Sequence, residues 1–323
     1  MSYPSLTIII PVYNAEKRIG PCLESLFSQD YPKDKLQIFL IDGKSTDKTR
    51  EIAKRLGAKV INNPFKVEEK AKPIGIKRAT SEIVAFLDDD NQAPHPQWLK
   101  HMVQPFKDPK IVGSETYEYT YRKKDDIITK YNALIGGDDP IVSYLGYNDR
   151  FCYFTNSWTG MAHKRTDKGS YLAIKLKKNQ IPAMGSNGFF IRRNIIKKIK
   201  HDPFIHPILI YDLVNNGYNK FAKVKDDILH LQDGSIRTFF SKKIRRIKRR
   251  VSGEIKWEYN FNITKPKLIR LVFYQLSIIL PIKDAILGYI RKPSYVWLFH
   301  PIASISLTFI YGFYSLLSKK SKH

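Results

Sequence analysis

Four apolar runs of strand length, each followed by a polar turn and a helical segment, most constrain what this chain can become. Residues 6–12 stop at Tyr13-Asn14, residues 36–41 stop at Asp42-Gly43, residues 58–62 form a shorter run, and residues 83–87 lead straight into Asp88-Asp89-Asp90-Asn91. Between them, Leu23, Leu26 and Phe27 recur at helical spacing with Pro32 beyond. Ser45, Thr46 or Asp47 can cap the next helix and Gly57 stop it, and a Lys-rich helix is expected around residues 71–79. Strand and helix alternating four times predict an α/β fold: a mostly parallel central sheet with helices on both faces. In such a sheet the ligand lies outside the carboxyl ends of the strands.

Three of the four runs deliver polar residues to that edge: Asn14, Asp42 and the aspartate triplet. If the backbone stays extended, Asp88 and Asp90 share one side and Asp89 takes the other. Two hard oxygen ligands on one side suit Mg²⁺ or Mn²⁺ on a substrate phosphate. Taken singly, each residue has a plainer use: Asp42 caps a helix, Tyr13 and Asn14 make a turn, Glu16 faces a helix dipole, and three aspartates form a solvated acidic turn. Neither G-x-G-x-x-G nor G-x-x-x-x-G-K-[ST] occurs, which argues against a dinucleotide oxidoreductase or a P-loop NTPase.

Charge narrows the partners. Lys and Arg number 55 against 30 Asp and Glu in 323 residues, a formal net charge of +25 that favours an anionic partner. Cys22 and Cys152 lack metal-ligand spacing and suggest a reducing compartment. Residues 1–5 carry no basic segment ahead of the first strand, so no signal peptide is expected.

Ile8-Ile9-Ile10-Pro11-Val12-Tyr13-Asn14, Ile41-Asp42-Gly43-Lys44-Ser45-Thr46-Asp47-Lys48-Thr49, Phe86-Leu87-Asp88-Asp89-Asp90 and Pro96-Gln97-Trp98-Leu99 together resemble the family 2 glycosyltransferases of GT-A fold, with their DXD motif. The resemblance is close over the first hundred residues and looser to about residue 250. It implies that Pro11, Tyr13 and Asn14 line a nucleotide pocket with Glu16 nearby, and that Asp42 accepts a hydrogen bond from the base. By the same resemblance Asp88 holds the ribose, Asp89 belongs to the donor-binding set, and Asp90 holds the metal on the donor diphosphate. Lys72 stands where the family usually has an arginine. Residues 183–192 resemble the glycine-flanked turn that approaches the donor sugar, which makes Asn187 a sugar contact. The family's Glu-Asp pair is missing after it. Alignment on Asp-Leu makes Asp212 the catalytic base, the assignment preferred here, whereas alignment on Gly-Tyr puts His206 near that place. His230, at the end of a later strand, implies a second metal ligand.

Residues 242–250 carry seven basic side chains interleaved with Ile244 and Ile247, with Val251 next, an amphipathic helix with a cationic face. No stacking aromatics or recognition motif accompany it, so an anionic membrane fits better than nucleic acid. Residues 268–290 and 295–317 each reach the length that spans a bilayer, about 20 residues. A spanning hairpin would put Arg291-Lys292 outside, so helices lying at the cytoplasmic face are preferred. The expected organisation is a GT-A domain over 1–235, with a nucleotide half (1–100) and an acceptor half (101–235). A basic linker helix (236–265) and an apolar membrane-associated segment (266–323) follow. The expected activity is Mn²⁺- or Mg²⁺-dependent inverting transfer from a UDP-, GDP- or dTDP-sugar to a lipid-linked or cell-envelope glycan acceptor. Two alternatives stand beside it: a polyprenyl-phosphate glycosyltransferase, which needs no general base, and a non-catalytic basic membrane or nucleic-acid binding protein on a degenerate scaffold.

Overall fold

The computed structural model describes residues 3–232, 234–252 and 264–320. The chain divides into two compact units, Met1–Glu118 with Ala162–Leu231, and Tyr119–Met161 with Gln232–His323. Part of the expected 236–265 linker, residues 253–263, lies outside the described residues.

The first unit opens with β1 (Leu6–Val12), α1 (Ile19–Phe27), β2 (Leu36–Asp42), α2 (Thr49–Arg55), β3 (Lys59–Asn62), α3 (Glu68–Arg78) and β4 (Ile83–Phe86). β5 (Asn91–Gln92), α4 (Trp98–Val103) and β6 (Gly113–Thr120) follow. The chain then supplies α5 (Ile127–Ile135) and α6 (Pro140–Tyr144) to the second unit. It returns with β7 (Lys164–Asp167), β8 (Tyr171–Lys175), β9 (Phe189–Arg192), α7 (Arg193–Ile196), α8 (His206–Asn215) and β10 (Lys220–His230).

The sheet order is β3-β2-β1-β4-β9-β6-β10-β8-β7, with β5 paired to β10. β3, β2, β1 and β4 are parallel, while β9 joins β4 and β6 antiparallel, so the sheet is mixed. β1 and β4 are buried at every position, which explains their unbroken apolar sequences. Pro11 is tolerated in the central β1 for a geometric reason. Ile9, on the same side of the strand backbone, accepts from Leu87 N, and the β4 ladder ends there, at Ile9 opposite Phe86. The missing proline N–H therefore falls beyond the last partner it would need. Gly75 lets α3 sit close to β1, since a Cβ there would come within 2.5 Å of Ile9 Cγ2. α2 follows Asp47, whose Oδ1 accepts from Thr49 N, the first residue of the helix, at 3.0 Å, and it ends before Gly57 at φ +96°.

The second unit adds α9 (Ile236–Val251), α10 (Lys265–Leu276), α11 (Ile279–Arg291) and α12 (Phe299–Lys320) to α5 and α6. Tyr131, Phe239, Trp297 and Phe299 are central to its core, and Tyr131 Oη lies 3.0 Å from His300 Nδ1. α9 buries Phe239 and Lys243, whereas Ile244, Ile247 and Val251 are only half-buried. Lys243 Nζ lies 3.1 Å from Asp138, and Arg246 contacts the same carboxylate. Burial alone would raise the Asp138 carboxyl, but these two cations hold it well below the usual carboxylate range. Two charges of the basic stretch are thus paired with Asp138, Lys243 from a buried position and Arg246 from an exposed one.

Residues 268–290 do not form one rod. α10 and α11 meet at 80° across Ser277-Ile278, with Ile278 at φ +63°. Pro281 explains the break, because a continuous helix would need its N–H on the Ser277 carbonyl and would drive its ring into that group. Residues Tyr295–Leu317, with mean hydropathy 1.4, are long and apolar enough to cross a membrane by length and composition.

Candidate active site

The carboxyl ends of β1, β2 and β4 lie side by side: Val12 pairs with Asp42, and Ile9 with Phe86 two residues before Asp88. The expected convergence of Asn14, Asp42 and the aspartate triplet on one edge is therefore present. Pro11 is buried inside β1, and Tyr13 is half-exposed just beyond it. Asn14, at φ +49°, donates its N–H to Ser45 Oγ at 2.9 Å and accepts from Thr46 N at 2.9 Å through Oδ1. Glu16 Oε2 accepts from Lys48 N at 3.1 Å. Asn14 and Glu16 thus clip the loop after β1 to the loop after β2. Asp42 is fully buried, accepts from Ser45 N at 3.2 Å and meets Arg50 Nη1 at 2.9 Å.

The aspartates do not lie on an extended strand, so side-chain alternation does not set their directions. β4 ends at Phe86 and the chain turns at Asp89-Asp90, with Asn91 N donating to Asp88 O at 3.0 Å. Fully buried Asn91 holds this turn from inside: its Oδ1 accepts from Asp88 N at 3.0 Å and its Nδ2 donates to Asp90 Oδ1 at 3.2 Å. Lys72, buried on α3 beneath the Phe204 ring, places Nζ 3.2 Å from Asp88 Oδ1. Asp89 is engaged by Arg18 Nη2 at 2.9 Å. Burial pushes the Asp89 carboxyl up to about 6 against the pull of Arg18, with neighbouring Asp90 adding to the rise. The sequence motifs pointed to neither Asn91 nor Arg18; the asparagine directly after the triplet was the available signal for the first.

His230 reaches the turn through sheet register. β10 pairs antiparallel with β5, His230 opposite Asn91, and Leu231 N donates to Asp90 O at 2.9 Å. His230 Nε2 consequently lies 3.6 Å from Asp90 Oδ2. Donors this far apart, one imidazole and one carboxylate, fit neighbouring positions around a single divalent ion with bonds of about 2.1 Å.

The glycine-flanked loop stands at the same edge, since Phe189 pairs with Phe86 and Gly188 N donates to Phe86 O at 2.8 Å. Gly185, Asn187 and Gly188 all have positive φ (+105°, +46°, +84°), and a Cβ on Gly188 would come within 2.9 Å of Ile228. Asn187 is largely buried in this loop. Gly185 N donates to Glu115 Oε1 at 3.0 Å, and Glu115 Oε2 lies 3.0 Å from Lys223 Nζ, with both side chains fully buried. His206, the first residue of α8, packs against Gly185, whose added Cβ would meet His206 Cβ at 3.2 Å. Asp212 lies six residues further along the same helix, about 9 Å on. It therefore does not open α8 as an Asp-Leu at a helix start would.

A parallel half-sheet ending in carboxylates, closed by an inserted antiparallel strand and a glycine-rich turn, defines a GT-A-type α/β fold. Residues 7–200 match the profile of Glycosyl transferase family 2, and the chain belongs to that family. Glycosyltransferase AglE of Haloferax volcanii is 33% identical over 139 residues, covering 41% of this chain and 45% of that protein. The dolichyl N-acetyl-alpha-D-glucosaminyl phosphate 3-beta-D-2,3-diacetamido-2,3-dideoxy-beta-D-glucuronosyltransferase of Methanococcus voltae is 36% identical over 120 residues, covering 33% of this chain and 37% of that protein. The matches thus span less than half the length of either relative. Among solved structures, mannosyltransferase PcManGT from Pyrobaculum calidifontis, in complex with GDP-Man and Mn²⁺, aligns with 100% of this chain and 89% of its own, with TM-score 0.54 and 15% identity. That likeness is one of fold.

Proposed function

We propose that this chain moves a sugar, with inversion at the anomeric carbon, from a nucleoside-diphosphate-sugar to a lipid-linked or cell-envelope glycan acceptor. The observation that carries the reading is the meeting of Asp42, Asp88, Asp90 and His230 with the Gly185–Gly188 loop at one sheet edge. In this reading Asp42 accepts from the base, Asp88 holds the ribose and Asn187 contacts the donor sugar. Asp90 and His230 would hold the divalent ion, which when bound neutralises charge on the leaving diphosphate. Lys72 sets the Asp88 carboxylate in place. The dolichyl phosphate in the name of the Methanococcus voltae relative supports the lipid-linked acceptor class. Titration of the purified chain with UDP, GDP and dTDP, with and without Mn²⁺, tests the donor half: one of them is expected to bind, and only with the ion. Absence of binding to all three would favour the non-catalytic reading.

For the acceptor proton we take His206 in place of Asp212, the residue preferred from the sequence, because His206 opens α8 against the Gly185 turn. His206→Gln is expected to lower kcat about a hundredfold with donor binding unchanged, while Asp212→Asn changes kcat less than about tenfold. The lost Glu-Asp pair favours a second reading in which the acceptor is a polyprenyl phosphate, already ionised. Full turnover in both variants would select it.

The second unit would dock on the membrane surface. Phe273 is 75% exposed and Ile279 74% exposed, on either side of the α10–α11 bend. Such side chains are stabilised by entering an apolar phase, each by about 1.5–3 kcal/mol when fully buried. Phe273→Glu with Ile279→Glu is expected to reduce co-flotation with anionic vesicles at least about tenfold. Unchanged flotation would place the contact elsewhere.

A further inference from the structure

His95, His101 and Asp226 form a second polar cluster that the proposed transfer reaction does not use. His95 Nε2 lies 3.0 and 3.1 Å from the two Asp226 oxygens, and His101 Nδ1 lies 2.7 Å from Oδ2. One ligand atom from each residue falls within 4.8 Å of the others. We propose that these three side chains bind a divalent transition-metal ion, Zn²⁺ in particular, at a structural site separate from Asp90 and His230.

The donor set is two imidazoles and one carboxylate, which suits zinc and leaves a position for water. Donors on a tetrahedral zinc with bonds of about 2.0–2.1 Å stand roughly 3.4 Å apart, so each histidine need move from Asp226 only by tenths of an ångström. The scaffold is already ordered. Asp226 is nearly buried on β10, and its Oδ1 also accepts from Asp227 N at 2.8 Å, an outer-shell contact that orients the carboxylate. The His95 carbonyl accepts from Gln29 Nε2 at 2.9 Å, and Trp98 Nε1 donates to Asp227 O at 2.8 Å, locking α4 to β10. Both imidazoles keep an exposed edge, 37% for His95 and 48% for His101, which supplies the entry path. Asp226 precedes His230 by four residues on β10, about 13 Å of strand, so one ion cannot serve both places. An ion here would tie the segment after the aspartate turn to the strand that carries His230.

The test uses the untagged, metal-stripped full chain carrying Asp90→Asn, so that the donor site does not contribute. Calorimetric titration with Zn²⁺, without nucleotide, is expected to show one equivalent bound, and Co²⁺ to give a visible absorption band from nitrogen and oxygen ligation. Adding His95→Gln or His101→Gln should each weaken binding about tenfold or more, and the pair should abolish the Co²⁺ band. Matched melting midpoints without metal confirm that these half-exposed positions leave the fold intact. Undiminished Zn²⁺ binding in the double histidine variant, or no binding before it is made, overturns the site. Neither result depends on sugar transfer, so failure here is distinguishable from failure of the proposed activity.

Discussion

Asp90→Ala is expected to lower turnover about a thousandfold and to remove the Mn²⁺-dependence of nucleoside diphosphate binding. The reason is local. Asp90 Oδ2 is 3.6 Å from His230, whereas Lys72 engages Asp88 and Arg18 engages Asp89. The fold should survive, since Asn91 Oδ1 still accepts from Asp88 N and Leu231 N still donates to the residue-90 carbonyl. Steady-state kinetics with a nucleotide titration decide the matter. More than a tenth of wild-type turnover, with metal-dependent binding intact, would remove Asp90 from the reaction.

The second large effect concerns stability. Lys223→Met should destabilise the protein by about 3–5 kcal/mol, because it leaves the Glu115 carboxylate without its cation in a fully buried position. Glu115→Gln added to Lys223→Met should recover most of that loss, since a neutral amide oxygen can still accept from Gly185 N. Urea unfolding of the single and double variants measures both. A double variant no more stable than the single would mean that the charge imbalance is not the cause. Because Glu115 also anchors the Gly185 turn, the single variant should lose transfer activity under conditions where it remains folded.

Much of the donor edge was legible in the sequence because it depends on local pattern. Apolar runs buried on both faces announce strands, and polar residues at their ends announce the edge where those strands stop. His230 and the glycine turn were legible only through resemblance, since their proximity to Asp90 comes from β5–β10 register and from Gly188 bonding to Phe86. Asn91 was passed over because an asparagine in a turn has an ordinary use, and its inward hydrogen bonds emerge only once the turn is folded. Hydropathy alone treats residues 268–290 as one segment, since Ile278, the residue at the bend, is itself apolar. The basic stretch likewise conceals that Lys243 and Arg246 face a carboxylate more than a hundred residues earlier. Sequence distance is the common obstacle: periodicity reads neighbours, and these contacts join strangers.

The position of β9 between β4 and β6 has a consequence for synthesis on the ribosome. A nascent chain that has emerged only through Thr120 already contains β4 and β6, yet lacks the strand that separates them. Seventy more residues, roughly 4–14 s of translation, pass before that gap can be filled. Until then the exposed margins of both strands need shielding from each other and from neighbouring chains, which makes this interval the one at which a chaperone would matter most.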